Sequence, residues 1–147
     1  MLSLHIAFRE GRTKYPRRTR GHSCTMMKWL RKQIKEERRM LVRARRRFLH
    51  NPSEESLHHV RTSSRRLRSL LEDSGDIVSE PALLRAVKCT AKSTDPARDA
   101  AVIRALLERV VAPAERTHAA ELLRDLRLQE ELAMRRACKK LARVSYD

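Results

Sequence analysis

The sequence predicts an all-α fold, a four-helix bundle preceded by a basic tail, and three observations carry that prediction. Apolar residues recur at helical spacing along most of the chain, and no stretch alternates with period two over strand length. Gly and Pro are rare after residue 21 and sit between the periodic stretches. Those stretches are joined by short turns, which favour antiparallel neighbours and an up-and-down bundle. A chain of 147 residues, 41% of them hydrophobic, suits one domain around a single core.

Residues 1–21 lack periodicity, hold Gly11, Pro16 and Gly21, and carry six basic side chains against one acid. They are expected to be a disordered basic tail, with residues 22–147 as the helical domain. The first helix is predicted from about Ser23 to Leu49. Its buried stripe is Met27, Leu30, Ile34, Leu41, Ala44 and Phe48, interrupted by Glu37. Asn51-Pro52 breaks it, and Ser53 is a natural N-cap for a second helix over Glu54–Glu72. Leu57, Val60, Leu67 and Leu71 face inward there, and Asp73-Ser74-Gly75 ends it. Pro81 suits the first position of a third helix whose apolar face is Leu83, Leu84 and Val87. Ser93-Thr94-Asp95-Pro96 predicts a stop and a restart, with Asp95 as cap and Pro96 as the first helical residue. The restarted segment is expected to turn Val102, Ile103, Leu106, Leu107 and Val110 inward and to run to Pro113. A last helix over about Glu115–Arg143 is expected to bury Leu122, Leu123, Leu126, Leu132, Met134 and Leu141.

Charge narrows the partners more than the fold. Lys and Arg number 34 against 18 Asp and Glu, a formal net charge of +16. Fourteen bases and six acids fall in residues 22–75, and fourteen bases and eleven acids in residues 76–147. The positive field therefore belongs to the first half, and it attracts polyanions. Cys24, Cys89 and Cys138 form no disulfide framework or short metal-binding spacing, and buried or inert reduced thiols are expected. No apolar run approaches the ~18 residues of a membrane span.

The informative segment is His58-His59-Val60-Arg61-Thr62-Ser63-Ser64-Arg65-Arg66-Leu67-Arg68. On a helix, His58, Arg61, Arg65 and Arg68 fall within an arc of roughly 80°, beside the arc of Leu57, Val60, Leu67 and Leu71. Arg66 and His59 point elsewhere. Like charges one turn apart destabilise a helix by a few tenths of a kcal/mol per pair, and no acid intervenes between Glu55 and Glu72. Guanidinium forks match phosphate oxygens in bidentate geometry and hold their charge at any physiological pH. A row of them one turn apart gives repeated anchor points to a repeating anion. A charge run on a helix is more often only a solvated face, and the missing counter-acids tip the balance toward a ligand.

His58-x-x-Arg61-x-x-x-Arg65-Arg66-Leu67-Arg68 resembles the signature of the CHAD family, the conserved-histidine α-helical domain. Thr94-Asp95-Pro96-Ala97-Arg98-Asp99-Ala100-Ala101-Val102 is similar to the family's Arg-Asp helix start, although Thr62 and Asp95 depart from its usual residues. The basic helix from Trp29 to Leu49 resembles the family's first helix. The resemblance covers residues 25–143 and implies one of the two four-helix halves that the family relates by a pseudo-twofold axis. It implies a non-catalytic domain that binds inorganic polyphosphate, with no cofactor, in the cytoplasm, as in family members that associate with polyphosphate granules. His58, Arg61, Arg65, Arg66 and Arg68 match the first signature and Arg98 the second; Arg39, Arg43 and Arg46 of the first helix complete the candidate set. A single half also implies a weak homodimer promoted by polyanion.

Other chemistries fit less well. Adjacent His58 and His59 diverge by ~100° on a helix, so they form no zinc pair with Cys89, Cys138 or His118. No base lies beside a serine or cysteine in the pattern of an activated nucleophile, and no P-loop occurs. The serious alternative is a basic helical protein that holds nucleic acid by its phosphate backbone without reading sequence. Aromatics at 3% give little for base stacking, and Trp29 and Phe48 are expected among apolar neighbours.

Overall fold

A computed structural model describes residues 24–112 and 115–146, so the basic segment 1–21 lies outside the described residues. Four helices follow in order: α1 (Cys24–His50), α2 (Glu54–Asp73), α3 (Pro81–Val110) and α4 (Arg116–Leu141). Among the described residues there is no strand. Packed neighbours are α1 with α2, α2 with α3, α3 with α4 and, least closely, α4 with α1. That closed ring places the α2–α3 seam opposite the α1–α4 seam.

Local chemistry sets the boundaries. Ser53 caps α2 as expected: its hydroxyl accepts from the Ser56 amide at 3.1 Å, and the Ser56 hydroxyl accepts from the Ser53 amide at 2.9 Å. This reciprocal box satisfies two amides that a helix start leaves open. Ser74 ends α2, its amide and hydroxyl both donating to the Leu70 carbonyl. Pro81 occupies the first turn of α3.

The core joins Leu30, Ile34, Leu41, Ala44 and Phe48 of α1 to Leu57, Val60, Leu67 and Leu71 of α2. Leu83, Val87 and Ala97 of α3 meet them, with Ala137 and Leu141 of α4. Met27 is only half-buried. After α4 the chain folds back and inserts Tyr146, which is 4% exposed.

Three expectations are corrected. First, α3 does not stop at Ser93–Pro96 but runs through Pro96 as one 30-residue helix. Asp95-Pro96 is a restart signal in isolation; here packing overrides it. Ser93, Thr94, Ala97 and Ala101 are buried, and the Thr94 hydroxyl donates to the Thr90 and Ala91 carbonyls. Second, Val102, Ile103, Leu106 and Val110 are 50–71% exposed, and Leu107 is half-buried. At 100° per residue the four exposed residues lie roughly 100–200° round the helix from the buried line Leu83–Val87–Thr94–Ala101. On α4, Leu122 and Leu132 are likewise exposed, while Leu123, Leu126 and Met134 are half-buried. The core therefore ends near Ala101 and Ala133, and the far half of the α3–α4 hairpin stands beyond it. Third, Trp29 is 55% exposed, about 100° round α1 from buried Leu30.

An ion cluster ties the hairpin together. Arg104, mostly shielded, reaches Glu130 across α4, Glu108 one turn on and Glu54 at the start of α2. The hydrogen bond to Glu130 chiefly raises the Arg104 pKa, against the opposing effect of burial.

Candidate functional site

The expected stripe on α2 forms as one wall of a groove of about 330 Å³ against α3. His58, Arg61, Arg65 and Arg68 line it from α2, and Asp95 and Arg98 from α3. The buried line Leu57–Val60–Ser64–Leu67–Leu71 fixes the rotation of α2, so the adjoining arc must border the α3 seam. Arg66 is exposed and lies outside the groove, as its position on the helical wheel requires.

The arginines differ in their partners. Arg61, the most shielded, donates from Nη1 to Asp95 Oδ1 at 2.6 Å and to Thr94 Oγ1 at 3.2 Å. Arg68 Nε donates to Glu72 Oε1 at 3.1 Å, and Lys88 Nζ lies 3.0 Å from the same oxygen. Hydrogen bonds from Lys88 and then Arg68 hold the Glu72 carboxyl below the usual carboxylate range. Among the described residues, Arg65 and Arg98 have no carboxylate partner. His58 Nε2 lies 3.3 Å from Thr62 Oγ1, while His59 turns away toward Glu55 at 3.7 Å. Four guanidinium groups thus face one carboxylate in the groove lining.

Sequence reasoning found the stripe but not the acids that meet it. Asp95 lies 34 residues from Arg61, and nothing local marks the pair. Asp95, expected as a cap, serves instead as an anchor for Arg61.

Arg39, Arg43 and Arg46 do not join this groove. They line a separate cleft between α1 and the segment after α4, on the opposite seam. Among the described residues no cluster of His, Cys, Asp and Glu is placed to hold a metal ion. No described helix is long and apolar enough to cross a membrane.

A family model described as the CHAD domain matches residues 26–147. The chain belongs to the CHAD domain family. That family is known for binding polyphosphate and is generally non-catalytic. Comparison with curated proteins and with solved structures gives no match. The match includes the described bundle from residue 26 onward, with both walls of the α2–α3 groove and the α1 cleft, so the CHAD assignment does not by itself choose between the two basic concavities.

Proposed function

We propose that this CHAD protein binds inorganic polyphosphate, without catalysing its turnover, in the groove between α2 and α3. The observation that carries the reading is the pair Arg65 and Arg98, which face the groove from opposite walls with no carboxylate partner among the described residues. A phosphate entering between them displaces water and breaks no ion pair. Arg61 and Arg68 begin bound to Asp95 and Glu72, so they add charge and a fixed position but give less new energy. His58 and Thr62 extend the line of donors and acceptors along α2. The reading carries a cytoplasmic location at polyphosphate granules as its cellular consequence.

The test compares two double variants. Charge-assisted hydrogen bonds contribute ~1.5–3 kcal/mol each. Arg65→Ala with Arg98→Ala is therefore expected to weaken binding of long-chain polyphosphate by at least about tenfold, tenfold being ~1.4 kcal/mol. Arg109→Ala with Arg124→Ala removes the same charge from the hairpin and is expected to weaken it far less. Filter binding at several salt concentrations measures both. Equal losses would show a diffuse attraction to the whole chain and overturn the groove assignment.

Exposed Trp29 favours a second reading, because it offers an aromatic face near Lys28 and Lys32 to an unpaired base. Competition separates the two. Single-stranded DNA that displaces polyphosphate at equal phosphate concentration, with the advantage lost in Trp29→Ala, would favour nucleic acid.

A further inference from the structure

The cleft on the opposite seam has a construction of its own. It measures about 690 Å³ and is lined by Arg38, Arg39, Arg43, Arg45 and Arg46 of α1 together with Arg143 beyond α4. Among the described residues, no acidic residue lines it and none of the six arginines has a carboxylate partner. Two of the six are anchored to main-chain oxygens. Arg38 Nη1 donates to the Tyr146 carbonyl at 3.1 Å, and Arg45 Nη2 donates to the Ala142 carbonyl at 3.0 Å. Arg45 also lies over the Tyr146 ring, 5.6 Å from its centroid, with its Nε buried and without a hydrogen-bond partner. Carbonyl anchors orient a guanidinium without neutralising it. Arg39, Arg43 and Arg46 are exposed around these two.

We infer that this cleft is a second oligophosphate site, independent of the α2–α3 groove, and that the protein links separate polyphosphate strands. Its linking role rests on the function proposed above. Among the described residues, six guanidinium groups with no lining carboxylate exceed the groove's four against one, so the cleft carries the larger positive charge. Its arginines spread over two turns of α1, a spacing that suits several phosphates of one chain. Tyr146, the aromatic ring at its floor, is buried beneath Arg45, so the cleft has no free face for a base. The ligand class is thus a bare phosphate polymer.

The placement of the two sites determines the consequence. They occupy opposite seams of a four-helix ring, with α1 and α2 between them. One short oligophosphate cannot fill both, whereas two strands, or two loops of one strand, can be held at once. Such a bivalent binder draws chains together, because each second binding event is effectively intramolecular.

Calorimetry with tripolyphosphate on the full chain tests this. The expected stoichiometry is two per protein. The triple variant Arg39→Ala, Arg43→Ala, Arg46→Ala is expected to bind one, and so is Arg65→Ala with Arg98→Ala. Arg38 and Arg45 are left intact because they hold Tyr146 in place, and circular dichroism verifies each fold. With long-chain polyphosphate, light scattering should rise for the unmodified protein near charge equivalence and stay low for either variant. A stoichiometry of one that survives in the triple variant overturns this inference and leaves the groove reading intact. A stoichiometry of one that survives in the Arg65/Arg98 variant but not in the triple variant overturns the groove reading and the linking role together. Absence of tripolyphosphate binding overturns both sites.

Discussion

Tyr146 shows how one residue outside every helix organises a surface. Its phenol lies 2.6 Å from Thr90 Oγ1, and the Thr90 hydroxyl already donates to the Ala86 carbonyl at 2.9 Å. The phenol must therefore be the donor in that contact. Its carbonyl receives Arg38 and its ring lies under Arg45, so the same residue holds two cleft arginines. Tyr146→Phe is expected to cost about 1 kcal/mol, since Thr90 keeps Ala86 as a partner. Tyr146→Ala is expected to cost about 3–5 kcal/mol through the cavity and to lower affinity at the cleft as well. Urea denaturation measures both. Burial pushes the phenol pKa up, against a smaller lowering effect of the Arg45 guanidinium. A raised folded pKa stabilises the fold fully below the unfolded value of ~10, and that contribution is lost as pH rises beyond it. The alkaline loss should be smaller in Tyr146→Phe. None of this was legible in the sequence, where a tyrosine after the last helix has no periodic context.

At the scale of elements, α1 and α2 were legible because each has one dominant apolar stripe, broken in α1 only at Glu37, and a turn of strong breakers lies between them. The same stripe fixed the rotation of α2, and with it the basic arc of His58, Arg61, Arg65 and Arg68. In α3, periodicity shows that a face is apolar but not whether a neighbour reaches it, so Val102–Val110 looked like core. Pro96 misled for a related reason. A proline inside a helix leaves the carbonyl four residues back without its donor, a local penalty of ~3 kcal/mol that packing on both sides of α3 offsets. If that account holds, Pro96→Ala should raise stability by about 1–3 kcal/mol with no change in helix content. A loss of stability would mean that the packing of α2 and α4 depends on the proline itself. The ion pairs between elements predict an acid dependence. Glu72 is held low by hydrogen bonds from Lys88 and Arg68, and Glu108 by those from Arg127 and Arg104. A depressed folded pKa gives stability that is present above the unfolded value, about 4.3, and lost as pH falls through the lower folded one. Thermal melts should therefore change little from pH 7 to 5 and fall below about 4. Glu72→Gln with Glu108→Gln should reduce that fall, though modestly, because both carboxylates are solvent-exposed.

Across the whole molecule, charge and apolar surface separate. Residues 99–132 hold seven acids and five bases, a net charge of −2 in a chain of +16. The exposed line Val102, Ile103, Leu106 and Val110 runs along the α3 side of this same hairpin. Two copies of the chain repel through their basic seams, and the hairpin is the region where that repulsion is weakest. It is also where contact removes the most apolar area from water, at ~25 cal/mol per Å². We therefore expect any homodimer to form hairpin to hairpin, by a twofold contact, which is the commonest arrangement of identical chains. Four side chains a side is a small contact, so the dimer should be weak alone. Polyphosphate should strengthen it by neutralising the basic seams and holding two copies on one strand, a stabilisation by mass action. Salt separates the two contributions. Added salt screens the repulsion and favours the apolar contact, but it weakens phosphate binding. Sedimentation velocity should show a larger dimer fraction at high salt without ligand, and a larger fraction at low salt with polyphosphate. Ile103→Glu with Leu106→Glu should abolish the ligand-free dimer without lowering the melting temperature, because both residues are about half exposed in the monomer. An unmodified chain that remains monomeric at high salt and high concentration would defeat the hairpin contact. Assembly on polyphosphate would then rest on strand-sharing alone.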